Sequence, residues 1–466
     1  MSSPKPSVSN SALPRRAFTL VEVLIATFLT LLLMAAVAEI FSRIGTSIND
    51  SRATLEMADR MRSTATRLQL DLAGLTATPL PPQNPADNPG YLEIVEGRWV
   101  VRQNQNGTFH EEVAPLPEPI DNDNSNRRDT TVIDNDDILL FTTRSAGRPF
   151  IGRAAGATIE SDVAEIAWFV RGRTLYRRVL LVAPTAVPSG TSATGFYRNY
   201  DVSVRRAPTG SSVVGNTLGD LTKRENRFAH ATSAFPYDIR GWGQLRLPLL
   251  QECSDPAWEV GVTQPSAMTY TPQNQVDLWL KPHPWETAGG VAEVDPDTGV
   301  HLDFPNGTRF AEDVILTNVI GFDVKVFEPA LGRYVDLGYD HNNAQLQSEL
   351  GYDPANPPAG ALKPLFYRRG SADSSLQAAA TEARIYDTWS THYREMWPGS
   401  GAALLNGMDD DNDGIVDNDS EFLALAEKPF PPYPAPLRGI QVKIRCFDPD
   451  SRQVRDATVV QDFLPK

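Results

Sequence analysis

Two places in the 466-residue chain group side chains that could do chemistry, and both concern charge rather than catalysis. The first is the run Asn406-Gly407-Met408-Asp409-Asp410-Asp411-Asn412-Asp413-Gly414-Ile415-Val416-Asp417-Asn418-Asp419-Ser420-Glu421. Asp409, Asp411, Asp413, Gly414 and Asp417 fall at positions 1, 3, 5, 6 and 9 of a D-x-D-x-D-G calcium loop, in which alternating oxygens converge on one hard cation and Gly allows the sharp turn. Val416 would pack inward. Ser420 stands where the bidentate Glu belongs, with Asp419 and Glu421 beside it. Calcium is therefore the one cofactor the sequence suggests; the competing reading is a solvated acidic loop whose like charges repel. The second place is Glu22, the single charge between Phe18 and Ala38 in an otherwise apolar run. A carboxylate in such a run costs a few kcal/mol in lipid unless it finds a partner.

Other chemistry is not signalled. The six histidines are scattered, with no HExxH, and there is no P-loop, dinucleotide glycine pattern or G-x-S-x-G elbow. We therefore expect no enzyme. Cys253 and Cys446 are the only cysteines. Outside the cytoplasm a disulfide between them is allowed, and the alternative is two unpaired thiols, with Cys446 inside an apolar stretch. A net charge of −15 argues against nucleic acid as a partner. The run Asp134-Asn135-Asp136-Asp137 lacks the glycine and spacing of a cation loop and reads as the turn before a strand.

The elements that must carry these residues follow from the pattern. Residues 18–42 form an apolar helix about as long as a bilayer core is thick, preceded by Arg15 and Arg16, so that the N-terminus stays cytoplasmic. Beyond it, Ile44, Ile48, Leu55, Ala58, Met61, Ala65, Leu68, Leu72 and Leu75 recur every three or four residues, which predicts an amphipathic stem over 43–76 that ends at Gly74 and the prolines after it. From residue 90 to 466 the signals are strands: 92–96, 98–101, 138–142, 165–170, 174–182, 201–205, 314–316, 320–327, 440–447 and 458–463. The expected fold is α+β, a long N-terminal helix followed by an antiparallel β-rich head. The stretches 184–312 and 335–433 hold most of the Pro, Gly, Asn and Asp and read as insertions on that head, with a second small β domain in the first left open.

The N-terminal residues Ala17-Phe18-Thr19-Leu20-Val21-Glu22 closely resemble the class III signal of type IV prepilins and type II secretion pseudopilins. In that family a small residue, usually Gly, precedes a cut, Phe-Thr-Leu-x-Glu follows, and the new N-terminal Phe is methylated. The resemblance implies that a prepilin peptidase removes residues 1–17, cutting between Ala17 and Phe18, methylates Phe18, and leaves Glu22 as the assembly glutamate. Ala17 departs from the usual Gly but keeps the position small. A cut there creates an α-amine four residues before Glu22, so the amine of one subunit could neutralise the Glu22 of a neighbour and set the axial register. Three other readings of the run are a twin-arginine export signal, an ordinary signal peptide cut after Ala36-Val37-Ala38, and a plain anchor. None of them accounts for Glu22.

Shorter blocks resemble the J-type minor pseudopilin of type II secretion: Arg67-Leu68-Gln69-Leu70-Asp71-Leu72, Leu139-Leu140-Phe141-Thr142-Thr143-Arg144, the hairpin from Ile166 to Arg178, Leu316 to Phe322, and Pro436 to Val442. They cover under half of the chain, and J-type subunits are much shorter. The resemblance implies a head outside the inner membrane, in the periplasm, and a short pseudopilus shared with other pilins or pseudopilins. It also implies contact with the secretion machinery and exported cargo. A type IV pilus minor pilin and a calcium-stabilised exported binding protein are the alternatives.

Overall fold

The computed structural model describes residues 19–80, 87, 89–96, 100–103, 109–112, 137–207, 210–223, 226–229, 247–256, 258–260, 307–338, 348, 350–352, 358–362, 364–366, 385–388, 433, 435–449 and 452–463. These residues fall into two compact units, one formed by the helix up to Met57 together with Pro449, the other by Ala58–Asp448 and the residues from Arg452. Helix α1 (Leu20–Ala73) contributes to both.

Along the second unit the strands are β1 (Leu92–Val95), β2 (Val100–Gln103), β3 (Phe109–Glu112), β4 (Ile138–Arg144), β5 (Phe150–Ala154), β6 (Ala157–Ser161), β7 (Val163–Arg171), β8 (Thr174–Leu181), β9 (Val204–Arg206) and β10 (Val213–Gly215). After the short helix α2 (Leu250–Cys253) come β11 (Val314–Thr317), β12 (Val319–Glu328), β13 (Arg333–Val335), β14 (Ile385–Asp387), β15 (Gly439–Asp448) and β16 (Gln453–Asp462). Each of the ten strands expected from the sequence has a counterpart. The larger sheet runs β11-β8-β7-β4-β1-β14, the smaller β13-β12-β15-β16, and every named pair is antiparallel. The α+β expectation is met.

Over Leu20–Gly45 the side chains of α1 are exposed, and this apolar stretch is long and apolar enough to cross a membrane. In the second unit Met61, Thr64, Leu68, Asp71 and Leu72 are buried, a stripe with steps of three and four. Ile44, Ile48 and Leu55 continue the stripe in sequence but are exposed, Leu55 at 66%. Amphipathic spacing marks which residues want a partner and does not supply one.

The helix stops at Gly74 because of what lies beside it. A Cβ there would sit 2.1 Å from the carbonyl oxygen of Arg144, and the Arg144 N–H bonds the Gly74 carbonyl at 2.7 Å. Gly74 is thus the point where the chain leaving the helix touches β4. Asp137, just before β4, is also more than a turn residue. It is buried, and its Oδ2 accepts the Val324 N–H at 2.6 Å, tying the two sheets together.

The described residues of both insertions take part in the head. β14 comes from within 335–433 and forms the edge of the larger sheet, pairing with β1. Ala193, Phe196, Tyr197, Val202, Val213, Leu221, Phe228, Leu249, Leu250 and Cys253, all within 184–312, share one buried cluster with Tyr91, Leu140, Ala167, Phe169, Tyr176 and Leu180 of the sheet region. The described residues of Ala58–Asp448 and from Arg452 onward fall in a single unit.

The N-terminal signal, the stem anchor and the covered sheet

The first described residues make a helix cap. The Thr19 N–H donates to Glu22 Oε2 at 2.9 Å, the Thr19 hydroxyl bonds the same oxygen at 3.0 Å, and the Glu22 N–H donates to Thr19 Oγ1 at 3.2 Å. This reciprocal Thr-x-x-Glu arrangement is a capping box, which satisfies donors that the first turn of a helix leaves open. The sequence reading missed it, although Thr19 and Glu22 carry the required spacing. Both side-chain bonds fall on Oε2, so Oε1 is left for a partner. Farther along, Thr27 Oγ1 donates to the carbonyls of Val23 and Leu24, and Thr30 Oγ1 to that of Ala26. Hydroxyls satisfied on their own helix are compatible with lipid. The span Leu20–Gly45, 26 residues, is about 39 Å at 1.5 Å per residue, against about 30 Å of hydrocarbon. Among the described residues it is the one helix long and apolar enough to anchor the chain in a membrane. Ala17 and Phe18, the two sides of the expected cut, lie outside the described residues.

Within the second unit, Asp71 anchors the stem helix to the larger sheet. It is buried, receives two 2.7 Å bonds from Arg177 Nε and Nη2, and accepts Trp168 Nε1–H at 3.1 Å. Its backbone carbonyl accepts the Thr143 hydroxyl at 2.6 Å. Trp168 and Arg177 are directly opposite one another on β7 and β8, and the Arg177 guanidinium lies 5.9 Å from the indole centroid. Two sequence blocks more than ninety positions apart therefore meet at one carboxylate.

β7 is buried along its whole length, so both of its faces are covered. An antiparallel sheet commonly leaves one face to water. Here Trp168 faces the helix, and the alternate residues Glu165, Ala167, Phe169 and Arg171 face the first insertion. The register places Asp387, Glu93, Leu140, Ala167 and Arg178 in one row across β14, β1, β4, β7 and β8, also on the insertion side.

The charges of that face are met by the covering layer. Arg171 forms a two-pronged pair with Glu252 at 2.7 and 2.8 Å, and Arg178 binds Asp313 at 2.7 Å and the Pro248 carbonyl at 3.2 Å. Arg227, fully buried, bridges Glu93 at 2.7 Å and Asp387 at 2.6 Å and lies 3.9 Å from the Tyr91 ring centroid. Glu165 accepts the Tyr91 hydroxyl at 2.8 Å, the Ser203 hydroxyl at 2.5 Å and the Phe228 N–H at 2.9 Å. Burial, followed by the Glu165 carboxylate, pushes the Tyr91 phenol well above its ordinary pKa. Charges this deep persist only when paired, so the insertion and the sheet hold each other's polar groups out of water. Strand parity sets Glu165 and Arg171 on one face of β7, and the register that pairs Ala167 with Arg178 sets Arg178 on the same face.

The disulfide left open between Cys253 and Cys446 is not formed. Both are buried free thiols. Cys253 lies in the cluster between the insertion and the larger sheet, while Cys446 is on β15 of the smaller sheet, near the Thr317 carbonyl. Burial pushes both thiols up to about 12; the Arg178 charge works against that at Cys253, and Asp456 adds to it at Cys446. The calcium-type loop with Asp409, Asp411, Asp413 and Asp417 lies outside the described residues. Among the described residues no group of three or more His, Cys, Asp or Glu side chains is placed to hold a metal ion.

Comparison with known proteins gives one match. Residues 14–38 match the family model described as the prokaryotic N-terminal methylation motif. No curated protein sequence and no solved structure matches the chain. The motif covers the Thr19–Glu22 cap and most of the apolar span. A signal of this kind implies processing by a prepilin peptidase and assembly with other pilins. With an apolar helix behind the motif and an antiparallel β-rich region behind that, the chain carries a class III prepilin-like signal of the kind found on pilins and pseudopilins.

Proposed function

We propose that this chain is a minor pseudopilin of a type II secretion system, similar to J-type subunits, and a structural component rather than an enzyme. In this reading prepilin peptidase cuts between Ala17 and Phe18 and methylates Phe18. The helix then leaves the inner membrane to enter a short pseudopilus, where the chain primes or caps the filament. Its head stands in the periplasm, and the covered sheet presents the enlarged surface to other tip subunits or to exported cargo. The observation that carries the reading is Glu22 at the start of the apolar helix within the methylation motif. In a lone chain Thr19 caps one oxygen of that carboxylate. In a filament the amine at Phe18 of a neighbour neutralises the charge, which fixes how far one helix is displaced along the next.

The preference for secretion over a type IV pilus rests on the J-like blocks, two of which are joined through Asp71, Trp168 and Arg177. The signal itself is common to both machines, so a minor pilin of a type IV pilus is the second reading. Calcium is proposed for the loop at Asp409, Asp411, Asp413 and Asp417, where a bound cation would offset the crowding of carboxylates.

Deleting the gene and complementing it with the wild type or Glu22→Ala tests the function. Loss of protein secretion with intact surface pili supports the secretion reading; loss of pili with normal secretion overturns it. Glu22→Ala should be cleaved yet fail to enter the filament, and normal incorporation contradicts the pairing argument. For calcium, chelator should lower the melting temperature of the wild type and leave Asp411→Ala unmoved; equal responses dismiss the site.

A further inference from the structure

The smaller sheet ends on β16, a ten-residue strand whose register with β15 runs without a shift from Gly439↔Asp462 to Asp448↔Gln453. Natural proteins blunt such edges with proline, bulges, very short strands or charged side chains. Gln453–Asp462 has no proline and no bulge and is long, and its charges are Arg455, Asp456 and Asp462. The direction of its backbone groups follows from two bonds. The Phe463 N–H reaches Arg438 on the β15 side, and the Phe447 N–H reaches Asn318 on the side away from β16. In an antiparallel ladder this direction alternates. The odd residues of β16 therefore point their N–H and C=O groups at β15, and Val454, Asp456, Thr458 and Val460 point theirs outward. Among the described residues no strand pairs with that outer edge.

Three side-chain observations suggest what sits there. Val454 and Val460 are exposed at 38% and 45%. Arg455 Nε is buried without a hydrogen-bond partner, its Nη2 reaching Gln453 at 3.4 Å. Asp456 is already neutralised by Arg445 at 2.7 Å and Lys443 at 3.2 Å, so the edge does not repel a neighbour there.

We propose that β16 pairs antiparallel with β16 of a second copy of this chain, about a two-fold axis through Ala457, joining the two smaller sheets into one. The charge pattern selects this register. Centring on Arg455 or Asp456 sets a charge against itself, and centring on Val459 sets Asp456 against Asp462. Centring on Thr458 requires the Asp462 carbonyl, which the Gln461 side chain occupies at 3.0 Å. Centred on Ala457, each Asp456 faces Thr458 of the copy, each Val454 faces Val460, and Arg455 lies diagonal to Gln461 of the copy, within reach for its unpaired Nε. The outward backbone groups of the four even residues are then matched two by two. A joint of one strand edge on another buries little surface, so the pairing is weak in dilution and gains from confinement in a membrane. It is independent of the filament reading, which rests on the N-terminal helix.

Ala457 would face itself in a non-hydrogen-bonded pair, with Cα atoms about 4.5 Å apart, inside the range a disulfide spans. Full-length Ala457→Cys, reconstituted in proteoliposomes and mildly oxidised, should give a covalent dimer at least tenfold more abundant than Gln461→Cys, which faces Gln453 of the copy. Adding Thr458→Pro removes an outward N–H and leaves the β15 ladder intact, so it should abolish the Ala457→Cys dimer without moving the urea midpoint. A dimer no more abundant than with Gln461→Cys, or one that survives Thr458→Pro, overturns the proposal.

Discussion

Replacing Asp71 by Leu removes the carboxylate that joins the stem helix to the larger sheet. The side chain of Asp71 is 4% exposed and that of Arg177 10%, so water can replace little of what is lost. Arg177 loses both of its 2.7 Å bonds and Trp168 Nε1 its acceptor. Breaking one side of a buried pair costs about 3–5 kcal/mol, because the remaining charge stays buried without its partner. That is roughly two to nearly four orders of magnitude in the folded-to-unfolded ratio. The companion Arg177→Leu should cost a similar amount, and the double variant much less than the sum, since an apolar pair in the same space is close to neutral. Urea unfolding of the full chain in detergent, followed by near-UV circular dichroism, supplies the double-mutant cycle. A coupling of about 2 kcal/mol or more is expected for side chains in direct contact. If Asp71→Leu costs less than about 1 kcal/mol and the cycle shows no coupling, the argument that this carboxylate pins the helix to the sheet is wrong.

Arg227→Leu leaves Glu93 and Asp387 buried without their shared cation and should release both insertions together, read as new early cleavages in 184–312 and 335–433 under limited proteolysis; cleavage unchanged from the wild type refutes the coupling. Cys253 and Cys446 should react with a thiol reagent only after unfolding, because burial holds both near 12, and rapid labelling of the native protein or a mass change on reduction contradicts this. Asp323 gives a pH test. Burial pushes its carboxyl up to about 6, with Lys325 at 3.1 Å pulling it down, Asp336 pushing it up, Lys443 adding a weaker pull, and Oδ1 without a hydrogen bond. A raised carboxyl means the folded state holds the proton more tightly than the unfolded one, so between about pH 4 and about 6 this group's contribution to stability falls as pH rises and then levels off. The urea midpoint of Asp323→Asn should therefore gain on the wild type across that window, and a constant difference between the two refutes the assignment.

Much of this architecture is legible in the residues. Alternation located the ten principal strands, and three-and-four spacing located the stem. The strands it missed are short or polar: Ile385–Asp387 has three residues, and Ala157–Ser161 is largely exposed, so neither leaves an apolar rhythm. Which faces are covered is less legible. In Val163–Arg171 alternation puts Glu165 and Arg171 opposite Trp168, which a one-layer head would turn to water. The first insertion lies over that face and brings Glu252, Ser203 and the Phe228 N–H to those charges. Pairings across some eighty positions, such as Arg171 with Glu252, are set by tertiary packing and leave no local signature. At the N-terminus the opposite happened. Thr19 and Glu22 have the spacing of a capping box, a signal carried by local sequence alone.

The mass and N-terminal sequence of the mature chain, purified from membranes, test the account most directly. A chain beginning at N-methyl-Phe18, with Glu22 as its fifth residue, is the predicted product. A start at Glu39, or a chain that keeps residues 1–17, contradicts it.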